Sequence, residues 1–342
     1  MRSFWKFIIL TAALAALLVV NLLLGTVRIP VAEILTILTG GEAGEVATNI
    51  VLQSRLPQAL TAIVAGAGLA VSGLQMQTVF RNPLAGPSVL GISNGSALGV
   101  AFVVLLSGRL GGVALSRLGY LGEAAMSVAA IVGALAVMLL ILWVSGRVKG
   151  NVTLLIIGVM IGYLANAIIG VLKFLSPEAD VKSFVVWGLG SFSRVSGDEM
   201  LLFVCLMCVL LPLACLLVKP MNLMLLGERY AANLGLNIRR ARMLVIISSG
   251  VLVAIVTAYC GPIMFIGLAV PHLARAVFRT SDHRVLMPAT ALCGAVLALL
   301  CNFVARMPGF EGALPVNSVT ALVGAPVIAA VLFGRRKNDI AE

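Results

Sequence analysis

Long apolar runs separated by short polar segments are the dominant pattern along this chain. Each run holds roughly 20 residues, the length of a helix that crosses the hydrocarbon core of a bilayer, and not the ten-residue alternation of a membrane barrel strand. The pattern predicts ten such helices. They cover residues 5–24, 57–80, 89–107, 122–144, 152–172, 198–218, 241–260, 263–280, 286–305 and 318–334.

The composition supports this interpretation. Of the 342 residues, 61% are hydrophobic and 11% are charged, whereas soluble domains are about 45–50% apolar and about 25% charged. An ordinary soluble globule is therefore excluded. We predict an all-α, polytopic membrane protein with about ten transmembrane helices, in which residues 1–342 form a single transmembrane domain.

Two of the predicted loops on the outer side are long enough to hold structure of their own, at 25–56 and 173–197. In the first, Pro30 precedes an amphipathic stretch over 31–39, which predicts a short helix along the membrane surface. The second mixes charge with aromatic residues, and we expect it to be partly helical and re-entrant.

The net charge of +11 gives an orientation. With the first span uncleaved and starting inside, sixteen of the 24 Lys and Arg residues fall on the cytoplasmic side and the other eight fall outside, as the positive-inside rule requires. Both termini are then cytoplasmic. No basic run stands apart from an apolar span, so nucleic acid is not an expected partner.

Glycines within the spans favour close helix packing, since small residues let lipid-embedded helices approach each other. Gly91, Gly95 and Gly99 repeat at intervals of four residues, and Gly66 lies in a similar small-residue stripe on the preceding span. We predict that these four glycines are helix-packing positions.

The polar residues inside the spans are neutral, and no acidic residue lies near the centre of any span. Carriers coupled to protons or sodium place ionisable groups there. A secondary carrier, which draws its energy from an ion gradient, is the alternative class of transport protein. It would need such a carboxylate and an inverted repeat. The energy for transport is therefore expected to come from another polypeptide.

The sequence does not indicate that this chain hydrolyses ATP. The nucleotide-binding pattern G-x-x-x-x-G-K-[ST] is absent, so we expect no ATP hydrolysis by this chain and no cofactor in it. Cys205 and Cys208 form a C-x2-C pair without neighbouring His or acidic residues, which favours buried thiols over a metal site. A membrane-embedded enzyme is disfavoured because no nucleophile–base or metal-ligand cluster stands out.

The main cytoplasmic segment, about residues 220–240, predicts a short helix, a glycine turn and a second helix start. It combines an apolar stripe with Glu228 and Arg229. An exposed loop this apolar is typical of a partner-binding surface. A helix resting on lipid is the alternative.

Several short motifs follow one another along the chain. They are Arg55-Leu56-Pro57, residues 80–87, residues 90–95, Leu226-Gly227-Glu228 with Leu234-Gly235, residues 267–272, Asp282-His283-Arg284, Leu314-Pro315-Val316 and residues 320–326. Together these motifs resemble the iron-chelate and cobalamin permeases of the FecCD type. The resemblance spans roughly residues 50–333, with the motifs in the family's order.

This resemblance implies the permease subunit of an ATP-binding-cassette importer in the inner (cytoplasmic) membrane. The expected partners are two ATPase subunits that bind ATP and Mg, an extracytoplasmic substrate-binding protein, and a second permease copy or paralogue. Arg55 matches the position where acidic residues of the binding protein dock. The resemblance assigns ATPase coupling to Leu226, Gly227, Glu228, Arg229, Ala232, Leu234 and Gly235.

Two further expectations concern the cargo and its path. Met160, Tyr163, Asn166 and Ile169 recur along the fifth span and are predicted to line the pathway. The expected cargo is an iron chelate, either ferric siderophore or haem, with cobalamin (vitamin B12) as the alternative.

Overall fold

The fold comes from a computed structural model that describes residues 2–25, 27, 29–41, 43–107, 120–148, 150–195, 197–307 and 314–338. These residues form fifteen α-helices and no β-strand. The first eight helices are α1 (Arg2–Leu23), α2 (Val31–Leu38), α3 (Glu45–Asn49), α4 (Leu56–Phe80), α5 (Ile92–Ser107), α6 (Tyr120–Ser145), α7 (Asn151–Leu175) and α8 (Glu178–Gly188). The other seven are α9 (Gly197–Cys215), α10 (Val218–Leu225), α11 (Glu228–Asn233), α12 (Ile238–Cys260), α13 (Ile266–Phe278), α14 (His283–Ala305) and α15 (Val316–Asn338).

The all-α membrane architecture is confirmed, and the ten predicted spans have counterparts. Six helices in the described part of the chain are long and apolar enough to cross a bilayer, and the bent pair α9 and α10 would make a seventh. Three shorter apolar helices, α5, α13 and α15, correspond to the remaining spans. Ten is thus an approximate number, because α13 has only 13 residues and rises about 20 Å against a hydrocarbon core of about 30 Å.

The helical parts of both long loops are also present. Helix α2 begins directly after Pro30, as the amphipathic stretch predicted, and buries Ile34 and Ile37. In the second loop, α8 follows Pro177 and buries Phe184 and Trp187. Proline suits both helix starts because its missing N–H would have no partner in a first turn.

Contacts along the chain group into two compact units. The first holds residues 1–71, 191–211 and 264–342, and the second holds residues 72–190 and 212–263. The single domain expected over 1–342 stays a prediction. The last four residues of the predicted cytoplasmic C-terminus lie outside the described residues.

In the first unit, α14 is the common packing partner of α1, α13 and α15. Asn302 on α14 donates to the side-chain oxygen of Asn21 on α1 at 2.9 Å, and Asn21 donates to the Leu299 carbonyl at 3.2 Å. These bonds satisfy amides that would otherwise be buried at a cost in an apolar bundle.

In the second unit, α5 packs on α6, α7 and α8, and α12 packs on α6 and α5. Two hydrogen-bonded pairs link α4 to α12 in its interior: the Ser72 and Ser249 hydroxyl oxygens lie 2.6 Å apart, and Gln75 donates to Ser248 at 2.9 Å. An apolar cluster that includes Val100, Phe184 and Trp187 fills the region between α5 and α8.

Candidate functional site

Helices α10 and α11 form the helix–turn–helix that the sequence predicted for the 220–240 segment. Gly227 joins the two helices with a φ of +111°, and Gly235 follows α11 with a φ of +86°. Residues that carry a Cβ rarely adopt such positive φ angles. The two glycines therefore allow three successive helix starts, α10, α11 and α12, within about twenty residues.

One face of this segment is buried, whereas the opposite face is exposed. Met221, Met224 and Ala231 are buried in the second unit. Leu226, Tyr230 and Leu234 are 58%, 59% and 54% exposed. Of the predicted coupling residues, Arg229, Ala232 and Gly235 are exposed as well, whereas Gly227 and Glu228 are half-buried.

Two arginines join this helix–turn–helix to the rest of the second unit. Arg242, in the second turn of α12, donates to the Glu228 carboxylate at 2.6 Å. Arg81, directly after α4, donates to the Met224 carbonyl at 2.8 Å. Neither contact could be predicted from the sequence, because partners 14 and 143 residues apart leave no local pattern.

Arg55 does not have the exposed position that docking would require. Its side chain is 1% exposed and donates to the carbonyls of Leu22 at 2.6 Å, Leu23 at 3.0 Å and Val27. These carbonyls lie at and just beyond the end of α1, where helix geometry leaves acceptors without partners. The docking role expected for Arg55 does not fit this geometry, in which the guanidinium caps a helix.

A second arginine lies beside this cap. A methyl group at Gly25 would lie 3.1 Å from an Arg55 nitrogen and 3.3 Å from an Arg306 nitrogen. Burial, and then repulsion by Arg55, lower the pKa of the Arg306 guanidinium. The absence of a side chain at Gly25 leaves room for both guanidinium groups.

The four predicted pathway residues do not share one face of α7. Met160, Tyr163 and Asn166 are exposed, whereas Ile169 is 6% exposed and belongs to the apolar cluster with Phe184 and Trp187. Each step of three residues turns the helix by about 300° and so falls about 60° short of a full turn. Three such steps bring Ile169 to the opposite side from Met160, which corrects the predicted stripe.

A small pocket contains two of the remaining three positions. It has a volume of about 160 Å³, and its polar lining comes from Ser88, Asn94, Tyr163 and Asn166. Gly158 and Gly162 on α7 permit the close approach, because a methyl group at Gly162 would lie 2.6 Å from the Asn94 amide nitrogen. The proximity of Asn94 to α7 could not be predicted from the sequence, because the two are distant along the chain.

The glycines predicted to pack helices have close neighbours. A methyl group at Gly66 would meet the Gly294 carbonyl on α14, and one at Gly95 would lie 2.6 Å from the Gly133 carbonyl oxygen on α6. At Gly99 it would meet the Ala129 carbonyl. Gly91 has a φ of +74° and lies against α7 near Gly158 and Gly162.

Residues 91–95 also fit the spacing G-x-S-x-G, the pattern of a hydrolase nucleophile elbow. That elbow requires a strand before the turn, whereas here a short 3-10 helix, Pro87–Leu90, precedes α5. The structural context therefore does not support a hydrolase.

These features define a helical, multi-spanning membrane protein with a surface helix–turn–helix, the class to which permeases belong. The model of the FecCD transport family matches residues 13–334. The chain belongs to this family, as its motifs indicated. It is a permease of an ABC importer of this type and not a catalytic subunit.

Two similar proteins come from Salmonella. The vitamin B12 import system permease proteins BtuC of Salmonella paratyphi A and of Salmonella typhi are each 38% identical to this chain over 284 residues. In both cases the match covers 83% of this chain and 83% of the relative.

Two solved structures have a similar fold. One is an inward-facing conformation of a transporter assigned to the metal-chelate type of ABC transporter. It is 30% identical, with a TM-score of 0.82, and the match covers 95% of this chain and 97% of that one. The other, PsaBC from Streptococcus pneumoniae in complex with Fab, is 19% identical with a TM-score of 0.55, and the match covers 87% and 95% of the two chains. That likeness concerns the fold alone.

Proposed function

We propose that this chain is the membrane-spanning subunit of an inner-membrane importer for a bulky metal chelate. It would work as a dimer with a second copy or a paralogue. Two separate ATPase subunits, which bind ATP and Mg, would drive it, and an extracytoplasmic binding protein would deliver the cargo. Both termini and the α10–α11 segment would face the cytoplasm, in line with the bias of Lys and Arg.

The observation that carries this proposal is the exposed apolar face of α10 and α11. Leu226 and Leu234 directly follow α10 and α11, Tyr230 lies within α11, and each of the three is more than half exposed. An exposed apolar patch that contains an aromatic side chain is typical of a protein-docking surface. A cleft on an ATPase subunit would cover this face.

The contacts of this segment would transmit movement of the ATPase. Glu228 is paired with Arg242 on α12, and the Met224 carbonyl accepts from Arg81 at the end of α4. A displacement of α10 and α11 is thereby passed to two membrane helices and not absorbed by a loose loop. Repeated displacement would alternate the pathway between its outward-open and inward-open states.

For the path itself, we propose Met160, Tyr163 and Asn166 as lining residues, together with Asn94. Amide and hydroxyl groups offer hydrogen bonds without a charge that would hold the cargo. The exposure of Met160, Tyr163 and Asn166 on α7 is compatible with a path formed when a second permease joins this one.

Vitamin B12 is the first cargo candidate, because the relatives that are 38% identical carry that name. An iron chelate, ferric siderophore or haem, is the second, supported by the resemblance of the motifs to iron-chelate permeases. Uptake of radiolabelled cobalamin, ferric siderophore and haem by the same reconstituted complex separates the two. Uptake of cobalamin alone supports the first candidate, and uptake of an iron chelate alone replaces it by the second.

The docking face is tested by Leu226→Asp in the full complex reconstituted in vesicles. Desolvating a carboxylate at an interface is costly, so we expect the variant to lose co-purification with the ATPase and to lose transport. Val46→Asp is the matched control, because Val46 is 73% exposed on α3, which is predicted to face the other side of the membrane. Normal ATPase binding by Leu226→Asp would contradict the proposed docking face.

A further inference from the structure

Trp143 and two arginines form a cationic cluster where α6 ends. Trp143 lies in the last turn of α6 and is 57% exposed. The guanidinium carbon of Arg147, just beyond the helix, lies 3.8 Å from the centre of the Trp143 ring. Arg239, in the first turn of α12, donates to the Gly146 carbonyl. Arg147 thus lies over the aromatic ring and Arg239 bonds the residue that precedes Arg147, so both guanidinium groups are held at the end of α6.

The cluster is shaped by its neighbours. A methyl group at Gly146 would lie 3.2 Å from the Arg239 guanidinium nitrogen, so glycine leaves the space that this side chain occupies. Arg147 and Arg239 are both exposed. Within the described part of the chain, neither forms an ion pair with a carboxylate, whereas Arg242 on the same helix does. Both positive charges at the end of α6 are therefore left without a carboxylate partner among the described residues.

The position of the cluster along α6 indicates what supplies the counter-ion. Helix α6 has 26 residues, which rise about 39 Å and so reach from one side of the bilayer into the opposite headgroup region. Tryptophan is enriched at that depth. Arginine binds phosphate through a planar fork of donors, and anionic lipids attract basic side chains at the membrane surface.

We propose that Trp143, Arg147 and Arg239 form a binding site for the phosphate headgroup of an anionic phospholipid. The two guanidinium groups contact the phosphate, and the exposed Trp143 ring lies at the boundary between headgroup and acyl chains. By the predicted orientation this is the cytoplasmic leaflet, on the side of α10 and α11. The site depends on membrane insertion and is independent of the cargo.

The test uses the full chain in bilayers of phosphatidylcholine that contain increasing amounts of brominated phosphatidylglycerol. Bromine quenches tryptophan fluorescence at contact, and the signal lost in Trp143→Phe isolates this residue from the other two tryptophans. We expect brominated phosphatidylglycerol to quench Trp143 at a lower fraction than brominated phosphatidylcholine does. Arg147→Gln and Arg239→Gln should each weaken this preference about five-fold, the effect of one basic side chain near the surface.

Arg240→Gln is the matched control, since it removes the same charge from the next residue of α12, an exposed position outside the cluster. It should leave the preference nearly unchanged. Equal quenching by the two brominated lipids, or an equal effect of Arg240→Gln and Arg239→Gln, would overturn the proposal. It would also be overturned if Arg239→Gln kept the lipid preference but lost the ATPase, because the cluster would then be a protein contact.

Discussion

Arg55 supplies at the end of α1 the donors that the helix itself cannot supply. The carbonyls of the last turn of a helix have no partner within that helix, and the turn carries partial negative charge. A buried guanidinium that bonds Leu22, Leu23 and Val27 carbonyls satisfies the acceptors and complements that charge. A residue expected at a docking surface is thus part of the interior.

Arg55→Lys should lower stability although it keeps the charge. A single ammonium cannot reproduce the geometry of a fork that reaches three carbonyls, and an unsatisfied buried acceptor costs about 1–3 kcal/mol. We expect a lower Tm in detergent. Arg229→Lys, at an exposed position, is the control and should leave Tm unchanged. An unchanged Tm in Arg55→Lys, together with weaker binding of the substrate-binding protein, would restore the docking role.

At the scale of elements, the α5–α6 interface depends on backbone contact. A methyl group at Gly95 would lie 2.6 Å from both the Gly133 carbonyl oxygen and a Val137 methyl carbon. Gly95→Ala should therefore separate the helices and cost about 1–3 kcal/mol, the usual effect of overpacking. Thermal unfolding of the purified chain measures it.

The control for this variant is Gly170→Ala on α7. No atom lies within 4 Å of a methyl group there, and alanine has the higher helix propensity, so Tm should stay the same or rise. Equal Tm values for Gly95→Ala and Gly170→Ala would show that the interface tolerates a side chain.

Glu228 can be tested as a structural contact or as a docking residue. Glu228→Arg replaces the ion pair with Arg242 by two neighbouring cations. We expect the variant to assemble in the membrane but to lose stimulation of the ATPase by loaded binding protein. Glu228→Arg combined with Arg242→Glu restores the pair in reverse, and we expect it to recover most of the stimulation. A double variant as inactive as the single one would place Glu228 in direct contact with the ATPase.

At the scale of the whole molecule, the orientation is open to a direct measurement. The distribution of Lys and Arg predicts that α11 is cytoplasmic and that α3 is extracytoplasmic. A cysteine introduced as Asn233→Cys should react with an impermeant maleimide only after cells are opened, whereas Val46→Cys should react in intact cells. The reverse pattern would invert the predicted topology. The native cysteines alone give the background labelling.

The sequence predicted the architecture well because its signals are local. Apolar runs define the spans, Pro30 marks a surface helix, and Gly227 and Gly235 mark the turns of the 220–240 segment. Features that depend on distant partners could not be predicted. The contact of Glu228 with Arg242 requires knowing how α11 packs on α12.

The prediction that four residues on one face of α7 line the pathway was wrong for a different reason. A spacing of three residues approximates one helical turn over a single step, but the error accumulates over the nine residues from Met160 to Ile169. The same sequence, placed on the true helical period of 3.6 residues, would have separated Ile169 from the other positions. Arg55 is a related case. The sequence beside a span does not indicate whether a charged side chain is exposed or buried.

The glycine contacts between α5 and α6 constrain how this permease can move. When two packed helices slide past each other, their side chains normally move from one set of grooves to another. Between α5 and α6, however, the main chain of one helix directly contacts the main chain of the other. The α5–α6 interface therefore has no second register in which the helices would pack at a comparable density. We therefore expect α5 and α6 to move as one rigid body during transport. The hinges of that movement then lie elsewhere in the chain.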